Sequence, residues 1–239
     1  MQKIIPIFIG YDFRERAATN VLIDSLYQQT SHPISITPIV KSQLEKQGFH
    51  SRKRDSKQST DFSFTRFLVP YLMNFEGWAI FMDCDMLCRA DISELWDQKD
   101  EKYSVLCVKH EHVTEEGSKF LGEKQIPYPK KNWSSLMLMN CKKCKALTID
   151  YVNHASGLDL HRFNWLESDE QIGEIKGQGW NELITLENLN KSQKDNSNSK
   201  LIHWTLGGPW FSNDPKAQGS LAQDWFAARE EAMKLWKSD

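Results

Sequence analysis

Two rhythms of apolar and polar positions run through the chain. Residues 3–10 are apolar and β-branched and stop at Tyr11-Asp12, the profile of a buried strand that ends in a polar loop. Across residues 14–29, Ala18, Leu22 and Leu26 recur every four positions with Val21 and Ser25 beside them, which predicts an amphipathic helix. Residues 34–40 supply a second strand. Strand, helix and strand at this spacing form a βαβ unit, which lays helices over a mainly parallel sheet. Residues 64–75 then carry a helical pattern despite Pro70, and 78–82 form a short apolar strand that stops at Asp83. Asp91 with Glu94 has the spacing of a capping box ahead of Leu95 and Trp96. Residues 103–108 and 136–139 read as strands, 141–154 as a helix and 201–204 as a last short strand. Two polar segments without a period, 46–61 with its Arg52-Lys53-Arg54 and 191–200, read as surface loops, the first of them mobile. From about residue 220 to 237, Trp225, Ala232 and Trp236 gather near one face of an amphipathic helix, which either packs on the domain or lies at a membrane interface. The expectation is a single α/β domain over residues 1–239 with no internal repeat.

At 239 residues and 40% hydrophobic content the chain can bury a substantial core, so disorder throughout is excluded. Thirty basic against thirty-two acidic side chains leave a formal charge of -2, which gives nucleic acid no electrostatic footing but leaves room for a small anionic ligand. No run of about 18 apolar residues exists and the first residues lack a secretory pattern. The expected location is the cytoplasm, with contact at the inner face of the membrane reserved for the C-terminal helix. Cys84, Cys88, Cys107, Cys141 and Cys144 sit in apolar segments and are expected to be reduced; Cys141 and Cys144 form a CxxC without the second pair a zinc site needs. Nine tryptophans serve equally for packing and for stacking on sugars or bases.

The most informative stretch is Ala79-Ile80-Phe81-Met82-Asp83-Cys84-Asp85, an apolar strand delivering two carboxylates one residue apart. In extended chain, residues i and i+2 point to one face, so both can converge on a hard cation. A divalent ion held there and shared with a diphosphate makes that group a better leaving group. Paired carboxylates after a strand also occur as solvated loop ends, so the pair alone is unspecific.

It has company, in a fixed order. Ile9-Gly10-Tyr11-Asp12 and Phe64-Thr65-Arg66-Phe67 precede it. Trp133-Ser134-Ser135 follows, ahead of an apolar run closed by Asn140; then come Ser168-Asp169-Glu170-Gln171-Ile172, Trp180-Asn181 and His203-Trp204-Thr205-Leu206-Gly207-Gly208-Pro209-Trp210. This succession, over about residues 4–211, resembles the GT-A fold glycosyltransferases, in particular the retaining group that includes glycogenin and the bacterial lipopolysaccharide galactosyltransferases, and within it a bacterial branch of glycosyltransferase-like proteins. The resemblance implies a GT-A type, Rossmann-like nucleotide-sugar-binding domain with a mainly parallel sheet flanked by helices. It implies donor binding by Ile9, Gly10, Tyr11, Asp12, Arg66, Asp83, Cys84 and the Gly207-Gly208 pair. It implies a metal held by Asp83, Asp85 and His203, Mn2+ ahead of Mg2+ because two oxygen donors are joined by an imidazole. Sugar or acceptor contacts fall to Trp133, Ser134, Ser135, Trp180, Asn181 and Trp204. Catalytic roles fall to Asp169 and Glu170. Glu170 replaces the family's glutamine and so can stabilise an oxocarbenium-like centre or act as a nucleophile. Gly208 stands where the family has a lysine that contacts the diphosphate.

The implied activity is transfer of a sugar, with retention, from a nucleotide sugar, first of all a UDP-sugar, to a hydroxyl on a glycan or lipid-linked glycan. Two other classes fit part of the pattern. A haloacid-dehalogenase-like phosphatase also uses Asp-x-Asp after an apolar strand, but near its N-terminus and without a complete βαβ unit ahead of it. A non-catalytic carbohydrate-binding domain on a degenerate transferase fold accounts for the tryptophans and the missing lysine, but has no need of Asp83, Asp85 and His203 together. Trp78 and Trp96 are expected to pack, and His161 and Arg162 are candidates for the acceptor or a phosphate. His110, His112 and His154 carry no partner pattern and are expected at the surface or in structural roles.

Overall fold

Strands β1 (Ile5–Tyr11) and β2 (Ile34–Val40) pair in parallel through helix α1 (Arg16–Gln29) in the computed structural model of the chain, which describes residues 3–54, 58–110, 129–184, 198–211 and 220–234. The four-residue apolar period of α1 does what it predicts: Ala18, Val21, Leu22, Ser25 and Leu26 are buried, with Leu22 and Leu26 in the main core beside β1. Strands β3 (Trp78–Met82), β5 (Val105–Cys107), β6 (Leu136–Asn140) and β7 (Ile172–Glu174) complete a six-stranded sheet of order β2-β1-β3-β6-β5-β7. Strand β6 is antiparallel to both β3 and β5, while the other neighbours pair in parallel, so β6 alone runs against five strands. Every residue of β3, β5 and β6 is buried, which is why these segments are continuously apolar rather than alternating.

A second, three-stranded sheet is built from β4 (Met86–Cys88), β8 (Glu182–Leu183) and β9 (Leu201–His203) in the order β4-β9-β8. The chain leaves β3 and enters β4 within three residues, Asp83-Cys84-Asp85, so the acidic pair occupies the joint between the two sheets. An apolar cluster joins Val21 of α1 with Leu87, Ile202, Trp204 and residues of helix α7 (Ser220–Ala232). There Leu221, Ala222 and Trp225 are buried, so the apolar face that a membrane would need is already packed on the domain. Residues 235–237, including Trp236, lie outside the described part. Among the described residues, no helix is long and apolar enough to cross a membrane.

Several expected elements change form for local reasons. The helix expected over 64–75 is a 3-10 turn (Thr65–Leu68) followed by α3 (Val69–Leu72), with Pro70 in the first turn where its missing N–H costs nothing. It ends at Asn74 and Phe75, both with left-handed φ. The helix expected over 141–154 is broken into a 3-10 turn (Cys141–Lys143) and α5 (Ile149–His154), because the Thr148 side chain caps a fresh start by accepting from the Tyr151 amide. Helix α4 (Ser93–Trp96) has half a capping box: the Asp91 carboxylate accepts from Ser93 N, whereas Glu94 pairs with Lys200 instead of reaching back. The basic segment 46–61, of which 55–57 lie outside the description, is pinned rather than loose. Arg52 donates to Val152 O and Ala155 O at the end of α5 and lies 4.0 Å over the Phe64 ring. Helices α2 (Lys41–Lys46) and α6 (Gly157–His161) and the short strands β4, β7 and β8 have no strong period and were not anticipated. Residues 191–197 of the expected polar loop lie outside the described part.

Candidate active site

The joint between the sheets fixes the acidic pair through main-chain bonds. Asp83 N donates to Ser135 O at 2.9 Å, extending the β3–β6 ladder by one residue, and Trp204 N donates to Asp85 O at 2.9 Å. Antiparallel pairing sets Met86 opposite His203, which delivers the histidine beside the two aspartates. One ligand atom from each of Asp83, Asp85 and His203 lies within 4.8 Å of the others, and His203 Nε2 is 3.2 Å from Asp85 Oδ1. Two carboxylates and an imidazole at this separation form a donor set able to hold a divalent metal ion.

Arg66, on the 3-10 turn, is buried with its Nη1 2.8 Å from Asp83 Oδ1. The guanidinium also donates to Ser134 O at 2.9 Å and to Phe62 O at 3.3 Å, between the Phe62 and Phe81 rings. It is thus committed to orienting Asp83 and the Ser134 backbone. Asp12, fully buried, plays the corresponding part at the end of β1. Its carboxylate receives the Arg14 guanidinium through two bonds of 3.0 and 2.7 Å, and the Arg14 and Asp61 amides as well. Burial alone would raise this carboxyl, but those bonds outweigh it and hold it below the ordinary value. The loop after β1 is thereby tied to residues 59–61, Arg14 also donating to Ser59 O. Ile9 is a core residue, and Gly10 leaves room for the Phe62 ring, which would lie 2.3 Å from any Cβ there.

Glu15, which no sequence pattern marked, points at the acidic pair. Cys84 Sγ donates to its Oε2 at 3.2 Å, and burial followed by the field of Asp85 pushes its carboxyl up to about 8. Cys84 is itself fully buried, and its thiol is pushed well up by that burial and by Glu15. A polar network backs His203. Asn181 Oδ1 lies 2.8 Å from His203 Nδ1, and Asn181 Nδ2 lies 3.0 Å from Ser135 Oγ and 3.1 Å from His110 Nε2. His110, expected at the surface or in a structural role, is therefore part of the site's support. Burial and the proximity of His203 lower its imidazole to about 4, so it stays neutral at working pH. Ser134 Oγ bonds His161 Nδ1 at 2.8 Å, and that ring stands edge-on to Phe67.

Other expected site residues lie elsewhere. Asp169 and Glu170 precede β7 in a 3-10 turn, and Ser104 N donates to Gln171 O just as Asn140 N donates to Ser104 O. The end of that turn, Gln171, is thus level with the start of β3. Asp169 is 2.5 Å from Lys130 Nζ, and Glu170 is exposed. The structure does not bring either of them to the Asp83–Asp85–His203 cluster. Trp204 is fully buried, and Trp180, 3% exposed, shows only part of itself to the surface. Trp133 is half-buried and donates its indole N–H to His110 O. Gly207 N donates to Trp204 O, and at Gly208 a Cβ would lie 2.0 Å from the Trp210 ring. The lysine position of the resembling family is thus filled here by an indole. Beside Asn181 and His110 opens a cavity of about 530 Å³, whose wall includes Trp180, Gln178, Glu182 and Asn198. His112 lies outside the described residues, and His154 is an exposed partner of Asp150. Cys141 and Cys144 are free, buried thiols that donate to backbone carbonyls.

The family model described as glycosyl transferase family 8 matches residues 16–214. Protein CDI of Arabidopsis thaliana is 45% identical over 242 residues, covering 100% of this chain and 91% of that protein. Among solved structures, the bifunctional glycosyltransferase WbbM superposes with a TM-score of 0.64 at 13% identity, over 96% of this chain and 50% of the other, so this chain spans about half of WbbM. The galactosyltransferase LgtC, solved in complex with donor and acceptor sugar analogs, superposes with a TM-score of 0.57 at 11% identity over 98% of both chains. At such identities the structural likeness speaks for the fold, the GT-A arrangement expected from the sequence.

Proposed function

This chain belongs to glycosyl transferase family 8 and is a glycosyltransferase, and on that premise we propose that it moves a sugar, with retention, from a UDP-sugar to a hydroxyl of a glycan or lipid-linked glycan in the cytoplasm, using Mn2+, or Mg2+ in its place, held by Asp83, Asp85 and His203. The observation that carries this reading is the convergence of those three side chains within 4.8 Å at the joint of the two sheets. Asp83, Asp85 and His203 would hold the ion, which would supply charge neutralisation to the departing diphosphate. The protein's part is positioning. Arg66 holds Asp83, the Trp204 amide holds Asp85 by its carbonyl, and Asp12 with Arg14 fixes the loop after β1 on the donor side. The polar cavity beside Asn181 suits the hydroxyls of an acceptor.

Glu170 is exposed and is not a member of the Asp83–Asp85–His203 cluster, which favours same-face displacement over a double displacement through that residue. In the favoured route the acceptor oxygen bonds to the anomeric carbon as the bond to the diphosphate breaks, and the hydroxyl proton passes to the departing diphosphate oxygen. Neither a phosphatase nor a binding-only domain is favoured, since His203 completes the acidic pair. The test is a panel of UDP-, GDP-, CDP- and ADP-sugars with Mn2+ or with EDTA, following nucleoside diphosphate release and the anomer of the product by NMR. Release from one nucleotide sugar only when metal is present, with the α linkage kept and the activity lost in Asp85→Asn, is the expected result. Turnover that survives EDTA, or an inverted product, overturns the proposal.

A further inference from the structure

Asn181 has no chemistry of its own to offer a sugar transfer, yet it is fully buried and held at φ 53°, a left-handed conformation that most residues avoid. Its bonding partners leave little freedom in how it is oriented. Ser135 Oγ lies 2.5 Å from Asn132 O, and a carbonyl oxygen only accepts, so the Ser135 hydroxyl hydrogen is used there. Ser135 Oγ therefore accepts from Asn181 Nδ2, which donates its second hydrogen to His110 Nε2. The amide oxygen is thereby turned toward His203 Nδ1 at 2.8 Å. An amide oxygen also only accepts, so the imidazole must carry a hydrogen on Nδ1, and the neutral ring then presents the Nε2 lone pair on the side of Asp85 Oδ1, 3.2 Å away.

We propose that Asn181 is a positioning residue that locks His203 in the Nδ1–H tautomer, with Ser135 and His110 fixing the amide, and so keeps Nε2 available to a divalent cation. The proposal rests on the metal-binding reading of Asp83, Asp85 and His203. Its physical content is a competition. Without Asn181 Oδ1, the acceptor left nearest the ring is the Asp85 carboxylate, which draws the hydrogen to Nε2 and hides the ligand atom from the metal. Partners that orient a ligating histidine in this way typically change metal affinity by about 10–100-fold.

The experiment uses the full chain without nucleotide. Asn181→Gly removes the side chain while suiting the positive φ, and Asn181→Asp keeps an acceptor for Nδ1–H. Long-range ¹H–¹⁵N spectra of the metal-free proteins at pH 9, with the His203 signals assigned from a His203→Gln spectrum, read the tautomer. Mn2+ titration followed by electron paramagnetic resonance reads affinity, and thermal melts confirm that each variant is folded. The expected result is Nδ1–H in the wild type and Asn181→Asp, Nε2–H in Asn181→Gly, and a 10–100-fold weaker Mn2+ affinity in Asn181→Gly alone. Nε2–H in the wild type, or a folded Asn181→Gly protein with unchanged tautomer and affinity, overturns the proposal. A wild type that binds neither Mn2+ nor Mg2+ contradicts the metal reading instead, and the spectra recorded without metal still decide the role of Asn181.

Discussion

Replacing Arg66 by Met in the metal-free protein strands Asp83, and a thermodynamic cycle with Asp83→Asn measures by how much. The pair is 2.8 Å apart with side chains 6% and 13% exposed, so water screens it weakly. Removing one partner of a buried pair costs about 3–5 kcal/mol because the other charge is left uncompensated. Loss of the donor to Ser134 O adds about 1–3 kcal/mol if that carbonyl finds no other partner. The single variant should therefore lose about 4–8 kcal/mol. In an Asp83→Asn background the stranded charge is gone and only the packing and carbonyl losses remain. Arg66→Met should then cost about 3–5 kcal/mol less than in the wild type. Urea unfolding in EDTA, followed by tryptophan fluorescence, gives all four corners of the cycle. If the two single losses add to within about 0.5 kcal/mol, Arg66 is not positioning Asp83 electrostatically and the account of the site's rigid side is wrong.

Glu15 gives the metal-free protein a pH dependence with a definite sign. Its folded value of about 8 lies above the ordinary 4.5, so its contribution is complete below 4.5 and is lost as pH rises through about 8. Urea midpoints should fall across that window, and Glu15→Gln should flatten the fall; an unchanged slope refutes the assignment. Restoring the resembling family's lysine by Gly208→Lys should lower the melting temperature without tightening UDP binding, because the Trp210 ring occupies the space of a Cβ. The full-length protein should stay in the supernatant when anionic vesicles are sedimented, since Leu221, Ala222 and Trp225 are buried in the domain; co-sedimentation would show that α7 can leave its seat.

The parts of this molecule that could be read from its sequence are those where one local rule decides. The period of α1 and the unbroken apolar run of β3 survive intact, and the run ending at Asp83 marks the joint because a buried strand must stop where carboxylates begin. Asp83, Asp85 and His203 were anticipated together, and the register of β4 on β9 explains why a histidine about 120 residues away arrives beside them. What could not be read depends on tertiary neighbours. Asp169 and Glu170 enter β7 directly, and their surroundings, Lys130 beside Asp169 and solvent around Glu170, are invisible in a motif. Glu15 and His110 have no periodic signature, since their roles come from Cys84 and Asn181 on distant elements. The tryptophans of the candidate blocks looked equally fit for sugar stacking, and only burial assigns Trp204 to the core.

The central claim is that Asp83, Asp85 and His203 form the metal site through which this glycosyltransferase holds its donor. Calorimetric titration of the wild type and Asp85→Ala with UDP, in Mn2+ and in EDTA, tests it most directly. The account predicts binding that requires Mn2+ in the wild type and is absent in Asp85→Ala. UDP binding of equal strength in EDTA, or in Asp85→Ala with Mn2+, would contradict it.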